Sequence, residues 1–233
     1  MGHHPFTWYD LVPGFLQGLV PLQIFFSLVS MVLLVCLALA ARRRLLDTRD
    51  AVIPSDRITL VNIFELLIEF VTNLSDSIIG HHGRRYLSLY GTFFIFILLS
   101  NFIGLVPGFS PPTSNLNITL GLGLVSFGAY HYFGVREHGG AYLKQFMGPF
   151  LVIAPLFFLI EIFSHMFRPL TLGLRLAFNM FADHLVVEIF TGLTYVVIPV
   201  LFYLLGALVS VIQAFVFTLL SMIYASLALS HDH

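Results

Sequence analysis

Residues 22–41 read LQIFFSLVSMVLLVCLALAA and run directly into Arg42, Arg43 and Arg44. The run carries no charge. As a helix rising ~1.5 Å per residue it is long enough to cross the ~30 Å hydrocarbon core of a bilayer. The three arginines close it as basic residues close a span on its cytoplasmic side. The rest of the chain has the same character: 233 residues, 58% hydrophobic and 10% charged, with a mean hydropathy of +0.93. Soluble domains are about 45–50% apolar and about 25% charged, so this chain has too little polar surface to cover a water-soluble globule. Composition therefore excludes a soluble enzyme and a disordered chain. A net charge of −1 argues against nucleic-acid binding. The single cysteine, Cys36, rules out a disulfide framework and a Cys-ligated zinc site.

Further apolar runs follow. Residues 86–106 form one, stopping at Pro107-Gly108 with Pro111-Pro112 just beyond. Residues 118–135 form the next, in which Gly121, Gly123 and Gly128 suit close helix packing in lipid. From 147 to 229 the chain is almost continuously apolar, punctuated by Pro155, Pro169 and Pro199, and Pro199 is the expected turn of a terminal hairpin. Residues 58–80 differ. Glu65, Glu69, Thr72 and Asp76 share one helical face, with Ile63, Leu67, Phe70, Val71 and Leu74 opposite. That pattern predicts an amphipathic helix lying at the membrane surface. The expected fold is thus all-α, a single polytopic membrane domain over 1–233. It has about five crossing helices, one interfacial helix at 58–80, and a C-terminal hairpin over 147–229.

Basic residues orient it. Arg42, Arg43, Arg44, Arg49 and Arg57 fall in the loop at 42–57, Arg84 and Arg85 at 80–85, and Arg136 and Lys144 after the third span. The N-terminal segment, the 107–117 loop and the turn near Pro199 have none. The positive-inside rule then predicts a periplasmic N-terminus and a cytoplasmic C-terminus. Residues 1–20 lack the Lys or Arg of a signal-peptide n-region, which favours a bacterial inner membrane over an imported organellar protein.

Of the eleven Lys and Arg residues, only Arg168 and Arg175 fall inside apolar sequence. Arginine at mid-membrane costs at least ~2.5–3.5 kcal/mol, so it is a functional signal by default. Arg168, beside Pro169, is expected to snorkel near a helix end. Arg175 has no counter-charge among its helical neighbours and stays protonated in any site. Its partner must be water, a distant segment or an acid on another chain. Glu161 and Arg168 precede Arg175 by two and one heptads and would align with it on an unbroken helix, a condition set by Pro169. Asn179 follows one turn later. His184 and Glu188 form an i,i+4 pair roughly opposite, of the kind that passes protons in pumps, and Gln213 lies in the last span. Tyr195, Tyr203 and Tyr224 fit an interfacial aromatic belt. The histidines His131, His138, His165 and His184 lack metal-ligand spacing, and no nucleotide or hydrolase motif occurs. No metal, cofactor or catalytic residue is expected.

The segment Pro169-Leu170-Thr171-Leu172-Gly173-Leu174-Arg175-Leu176-Ala177-Phe178-Asn179-Met180 resembles the signature of subunit a of F-type ATP synthases. Asn101 to Pro107 is similar to that family's N-x-x-G-L-x-P span end, and Gln213 with Tyr224 to its last helix. The resemblance implies a non-catalytic stator beside a ring of c subunits, with b-type peripheral stalk subunits and the F1 head as further partners. Arg175 would be the essential cation facing the ring carboxylates, with Asn179 and Gln213 as its polar neighbours. Glu161 would belong to the cytoplasmic half-channel and His184 to the periplasmic one. It also implies strongly tilted terminal helices. Where family members carry His or Glu seven residues before the glutamine, this chain has Gly206, and Glu188 is the expected substitute. The alternative reading is a self-contained transporter or channel whose Arg175 binds an anion.

Overall fold

The first apolar run folds as helix α1 (Leu22–Asp47), unbroken through its closing arginines. The structure, a computed structural model, describes residues 7–11, 21–47, 59–139, 142, 154–193 and 197–229. Part of the basic loop (48–57), Lys144, the start of the last apolar run (147–153) and Tyr195 lie outside the described residues. After α1 come α2 (Leu60–Ile78), α3 (Leu87–Gly104), α4 (Leu116–His138), α5 (Ala154–Leu193) and α6 (Val197–Leu229), with short 3-10 turns at Trp8–Leu11, Gly80–Tyr86 and Pro112–Ser114. Among the described residues, five helices are long and apolar enough to cross a membrane: Leu22–Arg43, Gly83–Gly104, Leu116–His138, Phe158–Leu193 and Ile198–Leu229. The protein is an all-helical, polytopic membrane protein.

The sixth helix, α2, carries Glu65, Glu69 and Asp76 within its 19 residues. Thr59 caps it, its hydroxyl accepting from the Asn62 N–H and donating to the Asn62 side chain. Of the expected apolar face, Val71, Leu67 and Leu74 pack inward, while Ile63 and Phe70 stay exposed. Ser226 near the end of α6 donates to the Ile78 carbonyl at 2.9 Å, pinning the C-terminal end of α2 to the bundle. Asp76 on the polar face pairs with Arg84 at 3.0 Å.

The core lies where α3, α4, α5 and α6 meet, around Phe93, Ile97, Tyr130, Leu172, Leu176, Met180, Phe217 and Met222. Small residues let α4 and α5 approach. A Cβ on Gly123 would lie 2.5 Å from the Pro169 carbonyl oxygen, and one on Gly173 would lie 2.9 Å from the Leu120 backbone. Gly121 and Gly128 meet nothing within 4 Å, so of the three glycines expected at this seam only Gly123 belongs to it. Ser126 of α4 donates to or accepts from Ser221 of α6 at 2.9 Å.

Helix α5 runs 40 residues without a break and keeps Pro169 inside it. A proline there removes one backbone hydrogen bond; the Thr171 hydroxyl donates back to the Arg168 carbonyl three residues earlier. Pro199, expected as the hairpin turn, is instead the third residue of α6, within the first helical turn. No intrahelical bond needs its missing N–H there, so proline is as well suited to that position as to a turn. The break between the helices falls after Leu193 and before Val197. At ~1.5 Å per residue the 36-residue apolar part of α5 is ~54 Å long and the 32-residue part of α6 ~48 Å. Kept within a ~30 Å slab, both must incline far beyond the usual ~20°.

Candidate ion-translocation site

Because α5 is continuous through Pro169, its polar residues align. Glu161, Arg168 and Arg175 recur at heptad spacing, drifting only ~20° per heptad. Arg175, Asn179 and Asp183 then continue at i, i+4 and i+8. Together they form a polar ridge on the border between the buried face (Leu172, Leu176, Met180) and the exposed one (Phe167, Phe178, Phe181).

In the first half of the ridge, three side chains form a hydrogen-bonded chain. The Tyr130 hydroxyl meets His165 Nδ1 at 3.0 Å, and His165 Nε2 meets Glu161 Oε1 at 3.0 Å. With Tyr130 donating to Nδ1 and the Nε2–H donating to the carboxylate, a neutral imidazole satisfies both bonds. The chain leads from a carboxylate 41% exposed to a phenol 1% exposed. The His131 ring sits edge-on to His165, their centroids 5.2 Å apart. Arg168 departs from expectation. It does not reach a helix end: its guanidinium lies 5.1 Å over the Tyr224 ring and 6.0 Å over Tyr130, with Glu161 at 3.9 Å. Tyr224 is correspondingly half-buried beneath a cation.

Arg175 is different. It is exposed, and among the described residues no carboxylate lies within 4.0 Å of it. Asn179 shares its ridge, partly buried. Gln213 is 8% exposed on α6 and is joined to neither by a hydrogen bond among the described residues.

In the second half, His184 turns away from the ridge and packs against α3. A Cβ on Gly104 would lie 2.8 Å from His184 Nε2 and 2.6 Å from Pro111 Cβ. Only glycine at 104 leaves room for that imidazole. Glu188 is exposed, one turn further along. Neither fills the space at Gly206. That space holds Asp183, whose Oδ2 would be 2.5 Å from a Cβ at 206, with Leu105 Cδ2 at 3.1 Å.

A buried lock holds the span ends behind this site. Asn101 donates to the Ser210 carbonyl of α6 at 3.3 Å and accepts from the Thr113 hydroxyl at 2.6 Å. The Trp8 indole donates to the Pro107 carbonyl at 3.2 Å.

A family model described as ATP synthase A chain matches residues 24–226. The chain belongs to that family. Relatives cover it almost end to end. ATP synthase subunit a of Bdellovibrio bacteriovorus is 44% identical over 98% of this chain and 99% of its own length. ATP synthase subunit a 1 of Syntrophotalea carbinolica is 43% identical over 99% of both. ATP synthase subunit a of Citrifermentans bemidjiense is 43% identical over 87% of this chain and 85% of its own.

In this ATP synthase A chain, three polar groups of the site, His165, Tyr130 and Asp183, are not singled out by the sequence. Glu161 and His165 have the same i,i+4 spacing as His184 and Glu188, a signal that could have found them. Tyr130 comes from another helix and leaves no local signal. Asp183 sits at i+8 from Arg175, a spacing that could have shown it on the same side.

Proposed function

We propose that this chain is the proton-translocating stator of an ATP synthase Fo sector in a bacterial inner membrane, its N-terminus periplasmic and its C-terminus cytoplasmic. The single observation that carries the reading is Arg175: a permanent cation on an apolar, exposed helix face, with no acid beside it among the described residues. Such a charge is tolerable in lipid only where it meets water or a partner. A ring of c subunits, each with a mid-membrane carboxylate, supplies that partner.

The mechanism follows from elementary electrostatics. A fixed cation favours the deprotonated form of a carboxylate passing it and disfavours the protonated form. Each arriving ring carboxylate must therefore release its proton into the cytoplasmic half-channel before it passes Arg175. It is reprotonated from the periplasmic half-channel after moving on. The same charge repels protons that would cross directly from one half-channel to the other. Glu161, with His165 and Tyr130 behind it, forms the cytoplasmic path, while Asn179 and Gln213 flank the arginine and His184 with Glu188 serve the periplasmic side. Proton flow is thereby tied to ring rotation, and this chain makes and breaks no covalent bond. The peripheral b-type stalk holds it against the F1 head, where ATP forms. The interfacial helix α2 lies on the cytoplasmic surface beside the basic loops.

Site-directed disulfide formation tests the geometry. Phe178, one turn from Arg175 and 61% exposed, is changed to cysteine after Cys36→Ala removes the native thiol. A second cysteine is placed beside the ring carboxylate. Oxidation of the assembled complex should yield the a–c cross-link. Full assembly with no cross-link at Phe178, or anion transport by the isolated chain in liposomes, would overturn the reading.

A further inference from the structure

The Asp183 carboxylate is a second acid of the ridge, in a place built for it. It lies eight residues beyond Arg175 on the same side of α5, about 12 Å along the axis. It is partly buried against α6, in the space left by the missing side chain of buried Gly206, a space that Leu105, just past the end of α3, also borders. Among the described residues nothing pairs with it: no cation lies within 4.0 Å and no side chain donates to it. A carboxylate held between two helices with neither hydrogen bonds nor a counter-ion is expensive unless water or a proton reaches it. His184, its chain neighbour, points elsewhere, toward Gly104. Glu188 stays on the exposed surface. Of the acids beyond Arg175 on α5, Asp183 alone shares the arginine's ridge.

We propose that Asp183, seated against Gly206 about two turns outward of Arg175, is a proton-transferring carboxylate of the periplasmic half-channel. The step balances simply. Hydronium in the outer aqueous path gives its proton to the Asp183 carboxylate and becomes water. The resulting carboxylic acid passes that proton, through water, to the deprotonated ring carboxylate leaving Arg175, and Asp183 returns to its anion. The proposal rests on the stator reading above, and its role is separable from that of Arg175: Asp183 conducts, whereas Arg175 blocks and sorts.

The test uses the whole ATP synthase in membrane vesicles, with subunit content checked for each variant. Asp183→Asn keeps the shape and removes the titratable group. ATP-driven acidification and passive proton flux through the F1-stripped sector should both fall at least about tenfold. Asp183→Glu should retain most of the flux. The decisive variant moves the acid across the helix pair: Asp183→Ala combined with Gly206→Asp should regain flux that Asp183→Ala alone has lost. Wild-type pumping by assembled Asp183→Asn would overturn the proposal. So would loss of flux in Asp183→Glu together with no recovery in the double variant, which would assign Asp183 a packing role. Failure of the stator reading itself would show separately, as an Arg175→Ala complex that still pumps.

Discussion

Gly123 of α4 faces the Pro169 carbonyl oxygen of α5 so closely that a Cβ there would lie 2.5 Å from it. The two helices meet backbone to backbone just where proline interrupts the hydrogen bonding of α5, six residues before Arg175. Neither side can yield without moving a helix. Gly123→Ala should therefore destabilise the subunit by about 1–3 kcal/mol, the usual cost of overpacking. Gly121→Ala, with open space around it, should be neutral or slightly stabilising. Thermal unfolding midpoints of the detergent-solubilised complex compare the two directly.

The Tyr130–His165–Glu161 chain makes a kinetic prediction. His165→Ala breaks both 3.0 Å hydrogen bonds, and Glu161→Gln removes the exposed carboxylate at its end. Each should slow passive proton flux about tenfold, a barrier increase of ~1.4 kcal/mol. Since both act on one path, the double variant should be no slower than the worse single one. Flux measured across F1-stripped vesicles decides this, and additive losses would separate the two residues.

Two arginines on one ridge should behave oppositely. Arg168 is neutralised by contact with Glu161 and the Tyr130 and Tyr224 rings, so Arg168→Gln should cost about 1 kcal/mol of stability without raising proton leak. A leak in Arg168→Gln comparable to that of an Arg175 variant would contradict this division.

Asn101 couples three segments through buried bonds to Ser210 and Thr113. Replacing it by alanine strands the buried Thr113 hydroxyl and takes the tie to α6 away from the Ser210 carbonyl, which keeps its helical bond. The expected loss is about 1–3 kcal/mol, seen as a lower yield of assembled complex and faster proteolysis. Thr113→Val should recover part of it by removing the stranded hydroxyl.

What was legible in the sequence follows from the solvent each residue meets. Spans such as 22–41 and 86–106 stood out because lipid demands uniform apolarity, and α2 because its Glu65, Glu69 and Asp76 recur on one side. Pro199 misled because proline suits a first helical turn as well as a loop. Arg168 and Arg175 look alike in sequence; they differ through Tyr130 and Tyr224, which arrive from other helices. Asp183 was hidden for a related reason: its place is defined by a side chain that Gly206 does not have. Contacts between distant segments leave no periodic trace, and they separate a structural charge from a functional one.

Arg175, which has no carboxylate within 4.0 Å among the described residues, is proposed to couple proton flow to rotation. The most direct measurement compares wild type with Arg175→Ala in vesicles carrying the assembled complex, following ATP-driven acidification and then passive flux after the catalytic head is stripped. The account predicts that pumping is lost while passive flux is retained or increased. Normal ATP-driven pumping by an assembled Arg175→Ala complex would contradict it.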